Sequence, residues 1–245
     1  MASALDLTVV VMAFNEVATL STTVDEIRTE LARLGRPWEI LIVDDGSTDG
    51  SGAAADALAA ADPHLRVVHH PVNRGLGGVY RTGFELAAAT CVTFFPADGQ
   101  FPATIIGQFR EAIDGVDMVL GLLPPRHDSR LGHLLSTAEK ALYRVVVGPM
   151  PPFQGILLFR RSLLQGMRLR SEGRGWGILM EFLLRAVGGG ARYVNRPTVL
   201  RARTAGRSKV NNLRTILANV RQMLALRSLL ASAPGVPVTP GPHDA

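Results

Sequence analysis

The chain has 245 residues, 47% of them apolar and 19% charged, with a net charge of +5 and a pI near 10.1. This length and composition suit one large domain with a substantial core and exclude an intrinsically disordered chain. A membrane-spanning helix is excluded too, since no run reaches roughly 18 uninterrupted apolar residues, and the lone cysteine, Cys91, excludes an internal disulfide.

The N-terminus carries no basic region ahead of an apolar run, so no signal peptide is expected and the chain is expected in the cytoplasm. Cys91 sits in an apolar run and reads as core packing. The charge is divided: residues 1–120 hold 7 Lys/Arg against 16 Asp/Glu, a net of −9, and residues 121–245 hold 19 against 5, a net of +14. Two readings fit: an acidic half able to hold a metal beside a basic half facing phosphates, or two unrelated solvated surfaces. Residues 182–245 alone hold ten basic residues and one acid, which suits an anionic membrane surface. Nucleic acid is not expected as a partner, because Tyr193 is the only aromatic after Phe182 and no stacking platform interleaves the cations.

Taken in chain order, the first half alternates strand and helix. Short Val-rich or Ile-rich runs predict strands at 7–13, 38–43, 66–69, 91–95 and 116–121. Between them, amphipathic or Ala-rich stretches predict helices at 17–34, 50–61, 76–89 and 102–113. Such alternation implies an α/β fold with a mostly parallel sheet covered on both faces. The second half is less regular, with helices expected at 131–147, 178–187 and 208–230, and strands at 155–159 and 192–201, the last broken by Pro197. One domain is expected over 1–231, followed by a disordered Pro- and Gly-rich tail at 232–245.

In open parallel sheets ligands bind beyond the carboxyl ends of the strands. The chemically expressive residues of this chain fall at those ends: Asn15-Glu16, Asp44-Asp45-Gly46-Ser47, Asn73-Arg74-Gly75 and Asp98-Gly99-Gln100. Asp44 and Asp45 can accept hydrogen bonds from ribose hydroxyls or a base edge, while Asp49 reads as a helix cap. The segment Asn73-Arg74-Gly75-Leu76-Gly77-Gly78 reads either as a phosphate cradle or as a tight turn before a closely packed helix. Asp98 and Gln100 offer two oxygen ligands to a hard cation that carries a diphosphate. Arg203, Arg207 and Lys209 surround a glycine turn, a setting that favours anions. His69-His70 at a strand end reads as structural.

Together these segments resemble family 2 glycosyltransferases, in particular the dolichol-phosphate mannosyltransferase and polyprenyl-phosphate glycosyltransferase group, over roughly residues 7–215. Phe14-Asn15-Glu16 resembles the family's opening motif and Asp44-Asp45-Gly46-Ser47-Thr48-Asp49 its nucleoside-binding turn. Asn73-Arg74-Gly75-Leu76-Gly77 with Arg81, Thr82, Gly83 and Phe84 resembles its loop and helix. Pro96-Ala97-Asp98-Gly99-Gln100 resembles its Asp-x-Asp-x-Gln metal motif, and Arg203 through Gly206 to Ser208-Lys209 its late basic element.

The resemblance implies a GT-A fold, an inverting displacement at an anomeric carbon, and Mg²⁺ or Mn²⁺ neutralising the leaving diphosphate at Asp98 and Gln100. It implies nucleotide-sugar contacts from Phe14, Asn15, Glu16, Asp44, Asp45, Ser47, Arg74, Gly75, Arg203, Ser208 and Lys209. Arg126 and Arg130 are expected at an acceptor phosphate and Glu181 near the acceptor. A lipid phosphate is already ionised and needs no strong base, so catalysis would rest on positioning and charge. Three departures stand out: Pro96 replaces the first acid of the metal motif, Pro151-Pro152-Phe153-Gln154 stands where an acidic residue often precedes the glycine, and no transmembrane hairpin is expected after the domain. The leading expectation is transfer from a GDP- or UDP-sugar to a polyprenyl phosphate, peripherally at the inner membrane face. The alternatives are a soluble acceptor and a non-catalytic nucleotide-sugar binder.

Overall fold

The computed structural model describes residues 5–123 and 151–201. The expected helices at 131–147 and 208–230 and the tail at 232–245 lie outside the described residues. Seven strands form one sheet in the order β3-β2-β1-β4-β6-β5-β7. They are β1 (Leu7–Ala13), β2 (Trp38–Asp44), β3 (Leu65–His69), β4 (Cys91–Pro96), β5 (Met118–Leu122), β6 (Leu157–Arg160) and β7 (Tyr193–Pro197). Every ladder is parallel except those of β6, which runs antiparallel between β4 and β5. This is the mostly parallel α/β sheet expected from the alternation.

The helices are α1 (Leu20–Leu34), α2 (Ser51–Ala61), α3 (Gly75–Leu86), α4 (Thr104–Ala112) and α5 (Gly177–Gly188). Side chains alternate across β1, sending Val9, Val11 and Ala13 into one core and Val10 into the other. The first core takes Leu20, Val24, Ile27 and Leu31, spaced along one face of α1, with Ile105, Ile106 and Phe109 of α4. The second takes Val79 and Tyr80 of α3 with Ile178, Leu179, Phe182 and Leu183 of α5. Each fully buried side chain of this kind contributes about 1.5–3 kcal/mol of transfer free energy. Ile27→Asp on the inner face of α1 would therefore unseat that helix.

Two element boundaries differ most from expectation, the start of α1 and the end of β7. Helix α1 begins at Leu20 rather than 17, because residues 14–18 are drawn into the loop network described below. It ends on Gly35, whose left-handed φ of 62° lets its N–H reach the Ala32 carbonyl at 3.1 Å. The expected strand at 192–201 stops at Pro197, and a 3-10 turn at Arg161–Leu164 was not foreseen.

Candidate active site

Parallel registry brings the strand ends level. Ala13 of β1 stands beside Asp44 of β2, Asp44 beside His69 of β3, and Met12 beside Pro96 of β4. The chain turns away to opposite sides after β1 and β4, which opens the crevice where such sheets bind ligands.

Reciprocal bonds lace the loop after β1 to the loop after β2. Ser47 Oγ accepts the Asn15 N–H at 2.9 Å, and Asn15 Oδ1 accepts the Thr48 N–H at 2.8 Å. Ser51 Oγ accepts the Glu16 N–H at 2.8 Å, and Asp49 accepts from Val17 at 3.1 Å and from Ser51 at 3.0 Å. Asn15 holds a φ of 55°, a conformation Asn tolerates better than most residues. Phe14, Asn15, Glu16 and Ser47 are thus gathered on one rim, none of them fully buried.

Asp44 and Asp45 are turned inward, at 4% and 3% exposure; Asp44 is held by His69, the last residue of β3, and Asp45 by His70, which follows it. Asp44 accepts the Ser47 N–H at 3.1 Å and pairs with His69 Nδ1 at 2.9 Å. Burial pushes the Asp44 carboxyl up, but the bonds from Ser47 and His69 outweigh it and hold it below the usual carboxylate range. Asp45 pairs with His70 Nδ1 at 2.6 Å and accepts the Arg74 and Gly75 N–H groups, both at 2.8 Å. His70 Nε2 meets Thr82 Oγ1 at 2.8 Å. The pair therefore shapes the loops; in this geometry its contact with a ligand runs through the turns it orders.

The glycine-rich segment resolves toward close packing. A Cβ on Gly75 would run into the carbonyl oxygen of Arg174, and one on Gly77 into that of Gly173. A strap, residues 170–176, lies across the start of α3, with the Arg174 carbonyl accepting the Gly77 N–H at 3.1 Å. The Arg174 guanidinium donates to the Asn73 carbonyl and to its side chain. Gly75 and Gly77 are needed to admit this strap, so the phosphate-cradle reading gives way to the closely packed turn.

Glu181 also departs from expectation. It has no exposed surface, and its carboxylate accepts the Arg170 and Ser171 N–H groups at 2.9 and 2.6 Å and the Arg185 Nε–H at 2.8 Å. Burial alone would raise its carboxyl, but these donors together hold it below the usual range. Instead of facing an acceptor, Glu181 anchors the strap from beneath.

The Asp98 turn follows β4. Gly99 has a φ of 70°, and Asp98 Oδ1 accepts the Gln100 N–H at 3.1 Å. The Gln100 carbonyl accepts the Arg201 N–H at 2.7 Å, while the Arg201 side chain pairs with Glu26 at 2.8 Å. On the other side Gly155, with a φ of 92°, packs so tightly on Phe101 that a Cβ there would stand 2.9 Å from the ring. The segment Pro151-Pro152-Phe153-Gln154 thereby lies next to the Asp98 turn, with the Gln154 N–H held by the Gly121 carbonyl at 2.7 Å. Among the described residues no three of His, Cys, Asp and Glu gather as a metal cluster. The Asp98 turn offers one carboxylate and one side-chain carbonyl, hard oxygens only. That set fits a Mg²⁺-like ion drawing its remaining ligands from phosphate and water.

Asn15, Ser47 and the two acids are thus joined in one network, and Asp98 and Gln100 stand at the neighbouring strand end. Arg126, Arg130, Arg203, Ser208 and Lys209 lie outside the described residues. His69 and His70 are structural, as expected, and their partners prove to be Asp44 and Asp45; Arg174 carried no signal in the sequence, while the alignment of His69-His70 with Asp44-Asp45 across adjacent strand ends could have named those partners.

The chain is similar to the undecaprenyl-phosphate mannosyltransferase of Micrococcus luteus, at 26% identity over 82% of this chain and 86% of that one. It is 28% identical to the polyprenol monophosphomannose synthase of Mycolicibacterium smegmatis, over 93% of this chain and 90% of that one. Its fold matches glucosyl-3-phosphoglycerate synthase from Mycobacterium tuberculosis, solved with Mn²⁺, UDP-glucose and phosphoglyceric acid. That match has a TM-score of 0.66 at 20% identity, covering 91% of this chain and 80% of the other. The family model for glycosyl transferase family 2 matches residues 8–131, just over half the sequence, and the chain belongs to that family.

Proposed function

We propose that this protein transfers a sugar from a nucleotide-sugar to a polyprenyl phosphate, with inversion at the anomeric carbon. An ionised phosphate oxygen of the acceptor attacks the anomeric carbon as the bond to the nucleoside diphosphate breaks, so no strong general base is called for. The polyprenyl-phosphate relatives, which align over most of both chains, support the acceptor class.

The observation that carries the reading is the bond from Arg201 to the Gln100 carbonyl at 2.7 Å. It ties the chain leading into the basic segment to the turn that holds Asp98, and Arg203 follows two residues later. Arg203 and Lys209 are then assigned to the donor diphosphate, with Ser208 beside them. Phe14, Asn15, Glu16 and Ser47 flank the nucleoside, Asp44, Asp45 and Gly75 order its turns, and Arg74 adds a cation at the rim. Arg126 and Arg130 are assigned to the acceptor phosphate.

Asp98 and Gln100 would hold Mg²⁺ or Mn²⁺. When bound, such an ion offsets the negative charge that grows on the leaving diphosphate. Asp98 supplies the one carboxylate for it, and Gln100 couples that turn to the basic segment through its backbone.

We infer that the lipid acceptor is met by peripheral contact at the cytoplasmic face of the membrane; among the described residues no helix is long and apolar enough to cross a membrane. Incubation with labelled GDP- and UDP-sugars, polyprenyl phosphate and Mg²⁺ or Mn²⁺ tests the reading. An organic-soluble, mild-acid-labile product is expected; no product with any donor and lipid pairing would sink it.

A further inference from the structure

The strap and the start of α3 line an open cleft of about 560 Å³ that, Arg74 apart, the donor and metal assignments leave unused. Its wall includes Asn73, Arg74, Gly78, Arg81, Glu172 and Arg174. Three guanidiniums against one carboxylate leave this lining with a net charge of +2. Among the described residues none of the three arginines forms an ion pair. Arg81 is half-buried and Arg74 and Arg174 are exposed; by contrast Arg110 is balanced by Asp6 at 2.7 Å and Arg185 by Glu181 at 2.8 Å.

Two of the three cations are fixed in place. Arg81 donates to the Ser171 carbonyl at 2.6 Å, and Arg174 donates to Asn73. Each of these bonds uses part of a guanidinium that carries five N–H donors, so both keep donors for a ligand. The strap that presents Arg174 and Glu172 is anchored below by Glu181, which holds the Arg170 and Ser171 N–H groups. A preorganised pair of guanidinium forks with uncompensated charge is matched by a ligand of charge −2 that offers several acceptor oxygens.

We propose that this cleft binds a phosphomonoester dianion, through Arg81 and Arg174 with Arg74 at its edge. The recognition chemistry is the same for an ester free in solution and for one borne on a lipid headgroup.

Calorimetry with inorganic phosphate in metal-free buffer tests the soluble source, and flotation with phosphatidylcholine vesicles with and without phosphatidic acid tests the lipid source. Arg81→Gln is expected to weaken the binding seen in either arm about tenfold. Because Arg81 also steadies the strap, Glu172→Gln provides the second test. No bond of the strap passes through the Glu172 side chain, and its loss should tighten binding about threefold by removing the one opposing charge. Phosphate binding that responds to both variants identifies a soluble ligand. Vesicle binding that responds to both, without phosphate binding, identifies a lipid one. Responses to neither variant in either arm, or full displacement of the anion by GDP or UDP, would overturn the proposal; displacement would make the site the donor's own.

Discussion

At the amino edge of the sheet, Asp6 is held by Arg110 at 2.7 Å, and Glu39 by Thr8 at 2.6 Å and by Ala88 and Arg66 at 3.0 Å. At the carboxyl edge, Asp44 and Asp45 are held by His69 and His70 and by the N–H groups of Ser47, Arg74 and Gly75. Both edges bury acids, but their partners differ in kind. Arginines keep their charge at any physiological pH, so the amino edge is a fixed clasp. The Arg110 bond holds the Asp6 carboxyl below its ordinary range, and in return Asp6 pushes the guanidinium of Arg110 further up. At the carboxyl edge the acids bind backbone of the loops that follow, so each carboxylate dictates a loop conformation. The amino edge contributes stability alone, while the carboxyl edge contributes stability and also sets the shape of the site.

The largest effect that separates the edges is expected from Asp98→Asn. Asparagine keeps the oxygen that accepts the Gln100 N–H, so the turn and the melting temperature should persist. Loss of the one carboxylate at the metal turn should lower turnover on the order of a thousandfold, equivalent to about 4 kcal/mol of transition-state stabilisation. Steady-state kinetics beside a thermal melt reads both; unchanged turnover would remove Asp98 from the mechanism.

Asp45→Ala should come next, because it strips acceptors from His70, Arg74 and Gly75 together. A cost of about 2–4 kcal/mol in chemical denaturation is expected, with weaker nucleotide binding. A stability loss with normal nucleotide affinity would show that the loop does not depend on its carboxylate. Arg110→Met is the counterpart at the amino edge. It should cost about 1–3 kcal/mol of stability through the exposed remainder of Asp6, and leave kcat and KM of the folded enzyme as they were.

These tests also separate what the sequence revealed from what it hid. The sheet was legible because β1, β2 and β4 are short apolar runs buried on both faces, and α1 carries its apolar residues on one face. The strand-end placement of Asn15, Asp44 and Asp98 was legible for the same reason: a run ends and a turn begins. The roles of Asp45 and Glu181 were not. A carboxylate facing a ligand and one facing backbone N–H groups read alike in a sequence, and the difference lies in partners 29 and 11 residues away. Gly75 and Gly77 left two readings open for a similar reason, since a glycine that admits a phosphate and one that admits the carbonyl of a distant strap obey the same steric rule.

The smallest expected effect concerns the pairing of His69 with Asp44, and its sign follows from the partners. His69 sits between Asp44 at 2.9 Å and Asp56 at 3.0 Å, and these two acids, Asp44 first, raise the imidazole above its ordinary value of 6.5. The folded state therefore prefers the protonated ring. That preference is fully present below pH 6.5 and is lost as pH rises through the raised value. Asp44 itself is held below 3.8 and stays ionised throughout this window. The His69 side chain is 43% exposed, so solvent screening keeps the contribution under about 1 kcal/mol. His69→Gln should accordingly lose stability to the wild type by more near pH 6 than near pH 8.5 in urea titrations. A gap that is the same at both values would mean that His69 holds Asp44 by hydrogen bonding alone. The carboxyl edge would then be as insensitive to pH as the arginine clasp at the opposite end of the strands.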